Sequence, residues 1–268
     1  MATKVIYRGP LKGFCFPVFN CYACPLAVTS CPIGTIQHFM AIARIPYYMI
    51  GYLSPIGLAV GRMACGWICP FGFFQDIVSK IRIKKLRLPP CSGYLKYVIL
   101  VVLVLIIPYL THDNWFSRLC PWGAAEASVP WGLWNPTAPN FLALTPNNAP
   151  IRDLAGGMYY LKLGILGAFL ALMLFFRRPF CFLVCPLGAI FSLFNRISIF
   201  RLGVDVASCT RCNQCYKRCP MGLKVYETPN SPDCIRCLEC MKKCKNIKLY
   251  SVFGKKPYVR DVDSEAGG

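Results

Sequence analysis

An eleven-residue pattern occurs twice in the 268-residue chain, as Arg62-Met-Ala-Cys65-Gly-Trp-Ile-Cys69-Pro-Phe-Gly72 and as Arg178-Pro-Phe-Cys181-Phe-Leu-Val-Cys185-Pro-Leu-Gly188. Both copies read R-x-x-C-x-x-x-C-P-x-G. Each follows an apolar stretch of about bilayer length, so each sets two thiols where a membrane helix ends. One copy is too few for an iron–sulfur cluster, but two copies supply four thiolates, the number that a 4Fe–4S cluster takes. Proline after the second Cys is expected to stop the local helix, and glycine to let backbone amides approach the sulfides. The reading is one cluster shared between two membrane repeats, ligated by Cys65, Cys69, Cys181 and Cys185, with Arg62 and Arg178 as cofactor-binding side chains. Ordinary buried cysteines are the alternative. Agreement at Arg, both Cys, Pro and Gly in two places argues against it.

Hydrophobic residues make up 56% of the chain and charged residues 15%, the balance of a membrane protein. Before residue 196 the only acids are Asp76, Asp113, Glu126 and Asp153, against sixteen Lys or Arg. The chain therefore divides at about 196 into a membrane part and a polar tail. Its formal charge of +19 overstates the real one, because each oxidised four-thiolate cluster carries about −2. The basic residues sit beside membrane ends and cysteines, which argues against nucleic-acid binding. Eighteen Cys indicate either disulfides or metal ligands, and their spacing decides for metal. Lys4, Arg8 and Lys12 among Pro and Gly leave no apolar core for a cleavable signal peptide.

Residues 1–35 form an outer cysteine-rich segment with Cys15, Cys21, Cys24 and Cys31, in which Cys21-x-x-Cys24-Pro and Cys31-Pro-x-Gly repeat the same grammar. Cys120-Pro-Trp-Gly123 is a further copy. Cys21, Cys24, Cys31 and Cys120 are the expected ligands of an outer 4Fe–4S cluster, with Cys15 the competing fourth. Residues 36–195 form the membrane domain, whose apolar segments are about 36–61, 94–110 and 155–176. Lys80, Arg82, Lys84, Lys85 and Arg87 follow the first, and Arg177 and Arg178 the third. By the positive-inside rule these are cytoplasmic, which puts the N-terminus outside in a multi-pass protein of a prokaryotic cell membrane. Cys65, Cys69, Cys181 and Cys185 then share the inner side, with Cys91 nearby. Segment one carries Arg44, Pro46, Gly51, Pro55, Gly57 and Gly61 and reads as a broken crossing. Trp115, Trp122, Trp131 and Trp134 read as an interfacial belt. His38 and His112 are candidates to ligate a haem together. Residues 189–203 read as an interfacial segment leading into the tail.

Residues 196–268 carry Cys209-x-x-Cys212-x-x-Cys215-x-x-x-Cys219-Pro and then Cys234-x-x-Cys237-x-x-Cys240-x-x-x-Cys244. This is the spacing of a two-cluster bacterial ferredoxin, in which the fourth Cys of each run serves the other cluster. One cluster takes Cys209, Cys212, Cys215 and Cys244; the other takes Cys234, Cys237, Cys240 and Cys219. A zinc ribbon needs only two Cys pairs. Lys245 stands where a Pro usually follows the last Cys.

Over about 60–245 the chain resembles the membrane polyferredoxins: the quinol-oxidising subunit of periplasmic nitrate reductase systems, the membrane part of the nitrous-oxide reductase regulator and the copper-oxidase assembly ferredoxin. The residues that carry the resemblance are Gly61 to Gly72, Arg178 to Gly188 and the double ferredoxin run. It implies electron transfer between a membrane quinone pool or ferredoxin and a partner oxidoreductase, with quinone as a further candidate ligand. The expected architecture is an all-α membrane domain of about three crossings plus a small ferredoxin-like α+β domain. The expected function is that of a membrane electron-transfer subunit embedded in the lipid bilayer, working with partner subunits of an oxidoreductase complex. The alternative is an assembly factor that reduces copper or thiols with its ferredoxin clusters. No constellation for hydrolysis or phosphoryl transfer is present.

Overall fold

The computed structural model describes residues 10–21, 23–24, 27–81, 85–134, 156–205 and 208–253; Lys4, Arg8, Arg82, Lys84 and residues 135–155 lie outside the described residues. The first apolar segment folds as two helices, α1 (Pro32–Ala41) and α2 (Tyr47–Val60). Between them Ala43 has a left-handed φ of 52°, and Pro46 pushes the residue before it away from helix. Neither piece alone reaches the length of about 20 residues that a bilayer asks for. Two short helices, α3 (Met63–Trp67) and α4 (Pro70–Ser79), complete the first repeat.

Among the described residues two helices are long and apolar enough to cross a membrane: α5 (Cys91–Thr111, mean hydropathy 2.2) and α7 (Gly157–Phe175, 1.8). Ahead of Pro108, which has no N–H to give, α5 loosens into π-helix at Leu100–Ile106. Between these two helices come α6 (Trp115–Leu119) and a continuous helical run through Pro121–Gly123, Ala124–Ser128 and Val129–Trp134. The second repeat copy forms α8 (Pro179–Leu183) and α9 (Pro186–Phe194).

The prolines of the C-P-x-G units do more than the expected helix stop. Each begins a helix: Cys31, Cys69, Cys120 and Cys185 are all extended N-cap residues, with ψ of 125°, 115°, 120° and 106°, and the Pro comes next at the first helical position. Proline excludes the helical region for the residue before it and is itself preset for the first turn. Each of these thiols therefore sits at the start of a helix, where N–H groups lack partners. At Cys185 the Gly188 N–H donates to Sγ at 3.1 Å.

The tail forms a two-stranded antiparallel sheet, β1 (Phe200–Val204) with β2 (Ile247–Ser251), in the register Phe200 opposite Ser251 through Val204 opposite Ile247. One short helix, α10 (Gln214–Arg218), comes after β1. The small core joins Leu202, Val204, Val225 and Ile247 to Cys215, Cys234 and Cys240. Thiols make up a large part of it.

By its contacts the chain forms two compact units. One comprises the described residues of Met1–Met49 and Val98–Leu172, the other those of Ile50–Tyr97 and Met173–Gly268.

Candidate iron–sulfur sites

In the second unit the two repeat copies exchange arginines. Arg62 of the first copy donates to the Cys181 carbonyl of the second at 3.0 Å, and Arg178 of the second donates to the Cys65 carbonyl of the first at 3.0 Å. The glycines of the pattern make this exchange possible. A Cβ at Gly188 would stand 3.0 Å from the Arg62 guanidinium, and one at Gly72 would stand 3.3 Å from that of Arg178 and 2.9 Å from the Cys65 carbonyl. The four thiols meet within this frame. Burial, and then the charges on Cys181, Cys65 and Cys69, push the Cys185 thiol well up. Gln75 donates to Cys181 Sγ at 3.1 Å.

The arginines differ in their counter-ions. Arg178 pairs with Asp76 of the first copy, Nε to Oδ1 at 2.8 Å. The corresponding position of the second copy is Ser192, and Arg62 turns instead to Asp233 of the tail at 3.8 Å, which also binds Lys96. Asn195 completes the joint: its Oδ1 accepts from the Arg62 N–H at 3.0 Å, and its Nδ2 donates to the carbonyls of Ser231 and Cys234 at 2.9 and 2.7 Å. Arg236 donates to the Val60 and Asn195 carbonyls at 3.1 and 2.6 Å.

The tail brings its eight cysteines together as two sets of four. Cys209, Cys212, Cys215 and Cys244 line one cavity, and Cys219, Cys234, Cys237 and Cys240 line another. Each cavity thus takes its fourth thiol from the other run. Burial pushes the Cys234 and Cys240 thiols up to about 12, and the charge of Cys219 adds to both.

Whether these surroundings fit an anionic cluster is decided by charge. Arg62, Lys96, Arg178 and Arg236 are all buried, while among the described residues the only carboxylates on them are Asp76 and Asp233. Two buried cations are left over, and Nε of both Arg62 and Arg236 lacks a partner among the same residues. Unpaired buried charge is costly, and clusters of charge about −2 on adjoining thiol sets would offset it. Among the described residues no three His, Cys, Asp or Glu groups close on one metal ion. A cube of four irons holds its thiolates farther apart than a single ion does.

In the first unit Cys21, Cys31 and Cys120 line a cavity of about 630 Å³. Burial pushes the Cys31 thiol up to about 11, with Cys21 adding, and the Cys120 thiol up to about 12, with Cys31 and Cys21 adding. Cys24 is buried and raises the Cys21 thiol in turn, behind burial as the main cause. Neither Cys15 nor Cys24 lines the cavity, and Cys15 Sγ lies 3.2 Å from Oγ1 of Thr35, which does. The charges acting on the Cys21 thiol are Lys162 and Glu126, whose carboxylate accepts the Cys21 N–H at 2.6 Å and is pushed up to about 7 by burial, and the ion pair of Asp113 and Arg118 also lines the cavity.

His38 lines the same cavity. His112, in a left-handed conformation at the end of α5, donates Nδ1–H to the Ala41 carbonyl at 2.6 Å. Cys91 is exposed. Gln75, Lys96, Asn195, Asp233, Arg236 and Glu126 went unread in the sequence, since none repeats with the motif and each acts across a long separation in the chain.

These cysteine sets on a helical chain define an iron–sulfur protein of the ferredoxin type. Residues 49–89 and 160–204, each containing one copy of the repeat, match the family described as a 4Fe-4S binding domain. Two uncharacterized proteins of Methanocaldococcus jannaschii are similar to the chain. One is 31% identical over 73% of this chain and 67% of its own length, the other 33% over 74% and 75%. The methylamine utilization ferredoxin-type protein MauN of Methylobacillus flagellatus is 27% identical over 60% of this chain and 48% of its own length. No solved structure matches. The chain belongs to the membrane polyferredoxin family.

Proposed function

We propose that this chain is a multi-pass membrane electron-transfer subunit with four 4Fe–4S sites: two in the tail, one shared by the repeat copies on the cytoplasmic side and one on the outer side. It carries electrons between a cytoplasmic ferredoxin-type site and a membrane quinone pool or an outer partner oxidoreductase. The observation that carries this reading is the excess of buried cations around the inner thiols and the adjoining tail thiols, since a packed protein keeps such charge only opposite an anion. A bound cluster supplies one-electron chemistry with little change of shape. The chain's residues do the rest: short helices aim the thiols, arginines hold the two copies together, and apolar packing excludes water. The basic residues at 80–87 and 177–178 support the cytoplasmic assignment.

Anaerobic purification in mild detergent, with iron and sulfide counted, tests the reading. About four irons per thiol set are expected, each set reducible by one electron. A colourless chain that folds with its cysteines paired as disulfides would refute it.

A further inference from the structure

Inside the second unit the inner thiol set and one of the tail's thiol sets touch through their backbones. Gly66, next to Cys65, lies under the loop that carries Cys237. A Cβ at Gly66 would stand 2.5 Å from the Ile235 carbonyl and 3.5 Å from both N and Cα of Cys237. No side chain separates the two loops at this point, and backbone cannot yield as the end of a flexible side chain can. The next residue fastens the contact: Trp67 Nε1 donates to the Arg236 carbonyl at 3.1 Å. Arg178 lies between the same two sets, and the charges of both Cys181 and Cys237 act on it. Around this contact Asn195, just after the second repeat copy, holds the Ser231 and Cys234 carbonyls, and Arg236 holds the Val60 carbonyl just before the first.

We propose that Gly66 is a positioning residue for electron transfer between the inner site and the site of Cys219, Cys234, Cys237 and Cys240, and that Trp67 locks this contact. The inference rests on the cluster reading above. It also orders the route, because the inner site meets the tail through Cys237. The set with Cys209, Cys212, Cys215 and Cys244, whose Cys212 is exposed, is then the far end of the relay. In the step, one electron leaves the reduced group on one side, which is oxidised by one unit. It arrives at the oxidised group on the other side, which is reduced by one unit, and no proton or bond changes hands. Glycine keeps the gap at backbone contact, and electron tunnelling weakens steeply as a gap widens.

The test uses the full chain, purified anaerobically, in four forms: wild type, Cys181→Ser, Gly66→Ala and Trp67→Phe. Iron and sulfide are counted, and the magnetic interaction between clusters is read from the electron paramagnetic resonance spectrum after full reduction. Cys181→Ser should lose the inner irons together with one component of the interaction splitting. If it loses no iron, the cluster reading itself fails. Gly66→Ala should keep its iron yet show that same component narrowed or lost. Full iron with unchanged splitting in Gly66→Ala would overturn the proposal. Should Gly66→Ala fail to assemble, Trp67→Phe decides: a narrowed component with all iron present supports the contact, and an unchanged one overturns it.

Discussion

Around Cys65, Cys69, Cys181 and Cys185 the backbone is held by two arginines that are nearly inaccessible to solvent, each crossing from one repeat copy to the other. Around Cys21, Cys31 and Cys120 the charged neighbours are instead Lys162 and Glu126, and the thiols open on a cavity of about 630 Å³ that the Asp113–Arg118 ion pair also lines. Both regions use the same local device, a Cys-Pro helix start. The difference teaches that the device aims a thiol without deciding its electrostatic setting. That setting comes from side chains brought in across the fold: Arg62 and Arg178 on one side, Glu126 and Lys162 on the other.

The sharpest way to break the comparison is at the outer site, where two cysteines compete for the fourth place. Cys120→Ser should abolish the outer iron while leaving the inner and tail iron in place. Cys15→Ser should keep all iron and cost only about 1 kcal/mol through its changed bond to Thr35. Iron counts and thermal unfolding of the two variants check this. The reverse outcome would move the site to Cys15.

At the inner site, Arg62→Met removes a buried cation together with its bonds to the Cys181 and Pro232 carbonyls, and weakens the hold on Asp233. Breaking a buried ion pair costs about 3–5 kcal/mol, so chelator should strip the inner iron far faster while the outer iron leaves at its former rate. Equal acceleration at both sites would show that the arginine acts on global stability alone. A smaller effect separates the two settings by potential. Glu126→Gln removes a carboxylate next to Cys21, which eases the gain of negative charge, so the outer potential should rise and the inner one stay fixed. Redox titration with optical or magnetic spectra measures both.

Much of this was legible in the sequence because it depends on local spacing. The two repeat copies, the ferredoxin-type cysteine spacing and the weakness of the first apolar segment at Pro46 can all be read from residues close together in the chain. The role of Pro70 and Pro186 was read only in part, since proline has the same φ at a helix stop as at a helix start, and only the conformation of the residues after it separates the two. Arg62 and Arg178 stood out because they repeat. Their targets, the carbonyls of the opposite copy, could not be seen, because hydrogen bonds to backbone leave no side-chain pattern. Asp233 shows the limit most plainly: it serves the charge that Asp76 serves in the other half, from a different part of the chain.

The central claim is that neither repeat copy holds a cluster alone. Iron and sulfide should be counted in Cys65→Ser, Cys181→Ser and the double variant of the full chain, each purified without oxygen. The account predicts that each single variant loses the same complement of about four irons and that the double variant loses no more, because a cluster short of one ligand is already lost. Separate losses that add in the double variant would mean that each copy binds metal by itself, and the shared site would be contradicted.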